Sequence, residues 1–469
     1  MSVPFQAGTA VRSIQPTLDD IDNTLHSLMT VRFDETGSPL QVKALACEMG
    51  QRRGLLVVFD LCAITMRHVS LIKTAIGEAT GLHAGEIIVQ ATHSHSAPFL
   101  EDLDQKAHPF FDLVRHRAAE VAADAWSARR PARVGHAMTH IVGIAFNTRV
   151  PMPDGGVKFT RDYREGLASG RPVDPRLNVI RFDDARTDEP IAAWVRVAAH
   201  PACVIFNAPV SAEFPGYMTE RLSQTVIGGA PVLFSLGACG DVNCIPMFGQ
   251  ESDSRRLGLR LAEWAGPVLK GIQTKPPRRF EAGSQPLELP LAPVPSIKTL
   301  EHEIAQVEAF TAALDANPDL EWVLGVNCGS DWSVTQKKSH VAPLAEWARK
   351  VRQAVRDGRE FPKTRAHPIS AWILDDLGLV FDCGEPLVEV GMTLSAQSPL
   401  PETLLMAHSN GAEAYLCTDE DQRRGGYEGY SQVRYLQLKP FARPLPYAIG
   451  AADVLVEGCL SLIRDLLVS

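Results

Sequence analysis

The apolar positions of this 469-residue chain follow two spacings, which alternate along the sequence. Short apolar runs have the length of buried β-strands, and between them apolar residues recur every three or four positions, as in amphipathic helices. This interleaving predicts an α/β protein with a mixed β-sheet core flanked by helices. The predicted strands are residues 44–47, 55–60, 87–91, 178–182, 191–200, 232–236, 369–374, 377–381 and 404–408.

Six segments show a helical pattern, and two of them lie within residues 286–363, a stretch that differs from the rest of the chain. That stretch opens with four prolines and then shows two helical patterns, which we interpret as a helical insertion or lid on one large catalytic domain spanning residues 1–469. A separate small domain is the alternative. The predicted helices are residues 66–80, 106–126, 253–272, 297–316, 341–357 and 451–467.

Composition narrows the class of protein. The chain is 45% apolar and 22% charged, with a net charge of -9 and no block of Lys or Arg, which argues against a nucleic-acid partner. Nine cysteines, an odd number with no Cys-x-x-Cys pair, favour free thiols in a reducing compartment. No signal peptide and no run of about 18 apolar residues is visible, so we expect a cytoplasmic protein without an integral membrane segment.

One histidine pair stands out among the fourteen histidines. His93 and His95 follow the apolar run 87–91 in the tetrapeptide Thr-His-Ser-His. Side chains two positions apart on a strand share a face, so the two imidazoles are predicted to project together from a strand end. A catalytic zinc site has about three His, Asp, Glu or Cys ligands, which makes this pair a candidate; a structural or surface pair is the ordinary alternative.

Other polar residues also follow predicted strands. His200 ends the run 191–200, Asp241 follows a glycine turn after the run 232–236, and Glu385 follows the run 377–381. A glycine-flanked Tyr427-Glu428 pair comes later. Each of these has an ordinary explanation as a capping, packing or turn residue. Their recurrence at strand ends is the stronger signal, because the strands of one sheet converge on a shared edge.

Taken together and in order, these segments resemble the neutral/alkaline non-lysosomal ceramidases, which are zinc-dependent amidohydrolases. The resemblance covers the chain from about residue 5 to its end, apart from residues 286–363. The segments that carry it are Phe5-Gln6-Ala7-Gly8-Thr9-Ala10, Ile14-Gln15-Pro16, Thr92-His93-Ser94-His95-Ser96-Ala97-Pro98, Asn147-Thr148-Arg149, residues 174–182, His200-Pro201, residues 211–217, Gly240-Asp241-Val242, Gly384-Glu385-Pro386 and Gly426-Tyr427-Glu428-Gly429.

The resemblance implies a set of roles for individual residues. It implies that Zn²⁺ is the cofactor and that its ligands are His93, His200, Glu385 and Tyr427. His95 then lies beside the ion, holding water or the substrate carbonyl. It further implies that Arg149 anchors an oxyanion or a substrate carboxylate, and that Glu213 and Asp241 are outer carboxylates or proton carriers.

The chain also departs from the family pattern. Asn243 stands where the family has a serine with a catalytic role, and we expect no C-terminal immunoglobulin-like domain after the last predicted helix. We therefore expect a zinc-dependent hydrolase that cleaves an N-acyl amide bond of a small molecule by metal-activated water, with ceramide an improbable substrate. The alternatives are a hydrolase of a small polar ester, amide or glycoconjugate on the same scaffold, and a non-catalytic metal-binding homologue.

Overall fold

A mixed eight-stranded sheet, here called the large sheet, dominates the computed structural model, which describes residues 3–16, 31–32, 37–100, 109–204, 208–329, 332–435 and 445–469. The edge pairs are parallel and the inner pairs antiparallel. In spatial order its strands are Val232–Leu236, Pro190–Val197, Arg176–Asp184, Arg130–His140, Gln6–Ser13, Gln41–Met49, Arg52–Phe59 and Ile87–Ala91.

A second sheet of four strands, here called the small sheet, lies against the inner face of the large one. Its order is Phe280–Gln285, Ile369–Leu374, Leu377–Asp382 and Glu402–Met406, with only the last pair parallel. Trp194 of the large sheet packs on Trp372 and Phe381 of the small sheet, with ring centroids 6.4 and 6.1 Å apart. Each such burial contributes about 1.5–3 kcal/mol. Gly54 permits this approach, since a Cβ there would lie 2.7 Å from the Trp372 ring.

The two edges of the large sheet approach each other. Ser235 of the strand Val232–Leu236 donates a hydrogen bond of 2.5 Å to Gln90 Oε1, on the opposite edge strand. Residues 407–410, which follow the last strand of the small sheet, close the gap: Ala407 N donates to Leu236 O, and Asn410 N donates to Val89 O. We call residues 407–410 the seam. It brings the ends of strands from both edges and from the small sheet to one place.

Helices cover both outer faces. The larger ones are Met66–Thr80, Pro109–Ser127, Glu213–Thr225 and Glu251–Gly271 over the large sheet, and Val388–Gln397 and Ala451–Val468 over the small sheet. Within residues 286–363, the helices Ile297–Ala313 and Val334–Arg356 pack on each other. Short helical segments are Tyr163–Ala168, Asp419–Arg424 and Gln432–Tyr435. No helix of the described residues has the length and apolar character needed to cross a membrane.

The predicted α/β class is confirmed, with a mixed sheet flanked by helices. All nine predicted strands and all six predicted helices occur, some with the predicted bounds and the others with shifted ends; residues 106–108 of one predicted helix lie outside the described part of the chain. The pattern missed several elements, namely the strands Gln6–Ser13, Arg130–His140 and Phe280–Gln285 and the helices Glu213–Thr225 and Val388–Gln397.

One polar contact also links the two sheets. His136 of the strand Arg130–His140 contacts Glu402 and Asp376 at the end of the small sheet, at 3.1 and 3.2 Å. Because both partners are carboxylates, they favour the protonated imidazole. The hydrogen bond to Glu402, followed by that to Asp376, raises the pKa of His136 against the opposing effect of burial.

Candidate metal centre

His93 is held in a backbone conformation that points its ring into the protein. The strand Ile87–Ala91 ends two residues earlier, and His93 has φ of 64°, in the left-handed region that side chains other than glycine seldom adopt. Its Nδ1–H donates to Cys62 O at 2.7 Å, which fixes the proton on that nitrogen. Nε2 therefore keeps its lone pair, the form in which imidazole binds metals.

His95 lies next to it, with its Nε2 3.2 Å from His93 Nε2. The sequence placed the two rings together for a different reason, since strand geometry ends at Ala91 and no alternation of faces operates here. Their approach comes from the turn that follows, where His95 N donates to Pro201 O at 2.9 Å. This bond joins the His93 loop to the loop that carries His200.

His200 follows the strand Pro190–Val197, on the other side of the large sheet. Its Nδ1–H donates to Val242 O at 3.1 Å, so its Nε2, like that of His93, faces the centre. That Nε2 lies 2.5 Å from Oε1 of Glu385. A ring nitrogen and a carboxylate oxygen at this separation share a proton, whose place a metal cation could take only if the two atoms moved apart.

Glu385 enters from the small sheet, just after the strand Leu377–Asp382. Its turn is fixed by Asp382, whose Oδ2 accepts from Gly384 N at 3.0 Å and whose Oδ1 lies 2.5 Å from His367 Nε2. Glu385 Oε1 is 3.5 Å from His93 Nε2. Burial alone raises the pKa of Glu385, but His93 and His200 hold it well below its ordinary value. The carboxylate is thus ionised.

His408 is a member of the cluster that the sequence did not predict. It lies in the seam, with its ring stacked on that of His93 at a centroid distance of 3.8 Å and its Nε2 3.9 Å from Glu385 Oε2. The predicted strand 404–408 ends at Met406, and His408 has φ of 52°. A histidine that follows an apolar strand was the available signal, the same one that singled out His200.

These donors fit a divalent cation. Zinc ligands about 2.0–2.1 Å from the metal, at tetrahedral angles, lie about 3.3 Å from one another, close to the 3.5 Å between His93 Nε2 and Glu385 Oε1. The shorter contact between His200 and Glu385 would have to widen to admit an ion. Burial lowers the pKa of His95 and of His408 well below the ordinary value, so both rings are neutral, as ligands must be.

Tyr427 flanks this cluster. It begins the π-helical segment Tyr427–Ser431, and its ring packs edge-on against Tyr415 at 5.8 Å; the Tyr415 hydroxyl in turn donates to Glu385. Burial, with the charges of Glu385 and Glu428, raises the pKa of Tyr427. The resemblance made this phenol a ligand, and the structure places it on the Glu385 side of the centre.

Arg149 is buried, and its contacts are with the segment that carries Tyr427. Its Nε donates to Asp421 Oδ1 at 3.1 Å, its Nη1 donates to Glu428, and its Nη2 donates to the carbonyl oxygens of Asp421 and Gly425. These hydrogen bonds hold the guanidinium against the segment that carries Tyr427. They fit a residue that fixes the Tyr427 segment better than one that binds a substrate carboxylate.

Glu213 and Asp241 are fully buried behind the ligands, and burial raises the pKa of both. Glu213 accepts from Ser96 Oγ at 3.0 Å and from Cys203 N at 2.8 Å, which ties together the loops of His93 and His200. Asp241 accepts from the side chain of Asn147 and, at 2.8 Å, from Val388 N, the first residue of the helix after Glu385. Both carboxylates thus support the loops that present ligands.

The structure resembles solved structures of ceramidases. The structure of "neutral ceramidase from Pseudomonas aeruginosa" matches with a TM-score of 0.65 and 15% identity, over 99% of this chain and 75% of that one. A structure described as "Ceramidase complexed with C2" matches with a TM-score of 0.66, the same identity and the same coverage. No model of a protein family matches, and no curated protein matches in sequence. The fold that the sequence resemblance implied is therefore confirmed: this chain has the ceramidase fold.

Proposed function

We propose that this protein is a zinc-dependent hydrolase that cleaves the amide bond of a small N-acylated substrate. The observation that carries the proposal is the meeting of His93, His200 and Glu385 at one buried point, on a fold shared with ceramidases. Both histidines use Nδ1–H on a backbone carbonyl, so each offers Nε2 to an ion. Such outer hydrogen bonds are what orient metal-binding histidines.

The ion would supply two things when bound: polarisation of the scissile carbonyl and a lowered pKa for a water molecule. The remaining work belongs to the chain. His93, His200, Glu385 and Tyr427 would hold the ion. His95, whose Nε2 lies 3.2 Å from the His93 nitrogen, would position the carbonyl oxygen or the water at the open side. A well-placed donor to a developing oxyanion is worth about 3–4 kcal/mol.

The two buried carboxylates would support the site and leave proton transfer to groups nearer the substrate. The carboxylate of Glu213 accepts hydrogen bonds from the loops that carry His93 and His200, and that of Asp241 accepts from Asn147 and from the start of the helix Val388–Gln397. Arg149 would likewise fix the Tyr427 segment. These contacts favour support over the proton transfer and substrate anchoring that the resemblance also allowed.

Asn243 would take a binding role at the position of the family serine. It pairs with Phe146 in the short ladder of Val242–Cys244 with Ala145–Asn147, and its backbone forms a bridge with His200. An amide side chain can donate a hydrogen bond to an oxyanion but offers no hydroxyl for a proton relay. The proposed reaction therefore relies on the ion and its ligands.

Metal content and hydrolysis together test the proposal. The wild-type protein should bind zinc and hydrolyse members of a panel of N-acyl substrates, and a chelator should abolish this activity until zinc is restored. His93→Ala and Glu385→Ala should lose bound zinc by elemental analysis, whereas His116→Ala, which removes a largely exposed imidazole, should retain it. Stoichiometric zinc in both ligand variants would refute the assignment.

A further inference from the structure

His408 is a buried side chain of the centre in which both ring nitrogens lack a hydrogen-bond partner among the described residues. Its side chain is 3% exposed. His93 and His200 differ, since each places Nδ1–H on a carbonyl oxygen. Leaving a buried donor or acceptor without a partner costs about 1–3 kcal/mol, so an unpartnered buried ring points to a group that binds there.

The backbone holds this ring in place. His408 N donates to Gly384 O at 3.2 Å, next to Glu385, and His408 O accepts from Ala91 N at 3.1 Å, two residues before His93. His408 is thus tied directly to the two loops that present Glu385 and His93. The chain adopts φ of 52° to make this connection, a strained conformation for a residue other than glycine.

The ring is also within reach of the same ion. One nitrogen of His408, one nitrogen of His93 and one oxygen of Glu385 all lie within 4.8 Å of one another. The Nε2 of His408 faces Oε2 of Glu385 at 3.9 Å, whereas His200 approaches Oε1 of the same carboxylate. Oε1 of Glu385 therefore has His93 and His200 beside it, whereas Oε2 faces His408. A shift of less than about 1 Å would bring His408 Nε2 and Glu385 Oε2 to the spacing of zinc ligands.

We propose that His408 is a ligand of the ion that His93, His200 and Glu385 hold, an inference that rests on the proposed function. The ion then has three imidazole ligands, one more than the set implied by the sequence resemblance, in addition to Glu385 and Tyr427. Neutral imidazoles add no charge, so Glu385 and these three rings leave a divalent ion with one positive charge. Nitrogen-rich sites of this kind suit zinc, and also nickel, iron or copper.

Metal affinity tests this assignment without reference to catalysis. His408→Leu keeps an apolar filling of the site and removes both nitrogens; its zinc affinity is measured by competition with a chromophoric chelator. Loss of an outer partner weakens binding by about 10–100-fold, so loss of a direct ligand should exceed about 100-fold. His116→Ala is the matched control and should bind zinc as the wild type does. A loss of less than about 100-fold, as expected for an outer partner or for no role, would overturn the assignment.

Two further measurements keep the test decisive. Cobalt(II) in place of zinc should show a changed visible absorption spectrum in His408→Leu, and an unchanged spectrum contradicts ligation. X-ray absorption of the zinc-loaded His95→Leu protein counts the imidazoles bound to zinc without relying on the folding of the His408 variant. Three bound imidazoles support the proposal, and two overturn it. If the wild-type protein binds no metal at all, the proposed function fails; if only His408→Leu behaves as wild type, this inference alone fails.

Discussion

Replacing Arg149 by Met separates a supporting role from a role in substrate binding. The side chains of Arg149, Asp421 and Glu428 are each 1% exposed. In Arg149→Met, Asp421 keeps Arg171 at 2.8 Å, but Glu428 has no other ion-pair partner among the described residues. Breaking a buried pair from one side costs about 3–5 kcal/mol, because a charge remains buried without compensation.

Urea unfolding of the metal-free protein measures this loss. The slope for a chain of this size is at least about 3 kcal/mol per molar urea, so the midpoint of Arg149→Met should fall by up to about 1.7 M. The control, Arg356→Met, breaks a surface pair with Glu301 in which both side chains are nearly half exposed, and should lose less than about 1 kcal/mol. An unchanged midpoint for Arg149→Met, together with a raised KM for an anionic substrate, would refute the supporting role and restore the substrate anchor.

Three other perturbations have defined outcomes. Gly240→Ala should weaken zinc binding at least about 10-fold in the chelator assay, since its Cβ would lie 2.7 Å from Glu385 O, whereas Gly271→Ala, with open space around it, should not. His136→Gln should lower the urea midpoint at pH 5.5 but not at pH 9. Because the pKa of His136 is raised in the folded protein, the stability that its charge adds is complete below the unfolded-state pKa of about 6.5 and is lost as pH rises through the folded-state pKa. Equal losses of stability at the two pH values would contradict this sign. Saturating zinc, at about 100 times Kd, should stabilise the wild type by about 2.7 kcal/mol in calorimetry, and no change would exclude binding to the folded state.

Most strands of the fold could be predicted from the sequence because they are apolar runs buried on both faces. The strands Ile87–Ala91 and Val232–Leu236 were predicted with their observed bounds for this reason. The strand Arg130–His140 was not predicted because only two of its eleven positions, Ala132 and Val134, are buried and because it contains four Arg or His residues. The helix Glu213–Thr225 was not predicted because a proline and a glycine lie in its first turn. In a sequence these two residues usually indicate a helix end, although a helix tolerates proline in its first turn.

The sequence predicted the site residues that a single chain segment can identify, but not the contacts between distant segments. His93, His200 and Glu385 each follow a strong strand, and the structure brings these three together. The role of Arg149 could not be inferred, because its partners lie more than 270 positions away in the sequence. His408 follows an apolar strand, as His200 does, but its approach to the other ligands depends on how the two edges of the large sheet meet, which no local pattern encodes.

The seam has a consequence for the order in which the protein folds. Its contacts join residues far apart in the chain, as in the hydrogen bond from Gln90 Nε2 to Ala407 O, which spans 317 positions. Contacts of such separation form late, because a long loop must close before they contribute. A nascent chain that lacks its last hundred residues would carry His93 and His200 but neither Glu385 nor His408. Binding of the ion would then become possible only after the C-terminal part of the chain has folded.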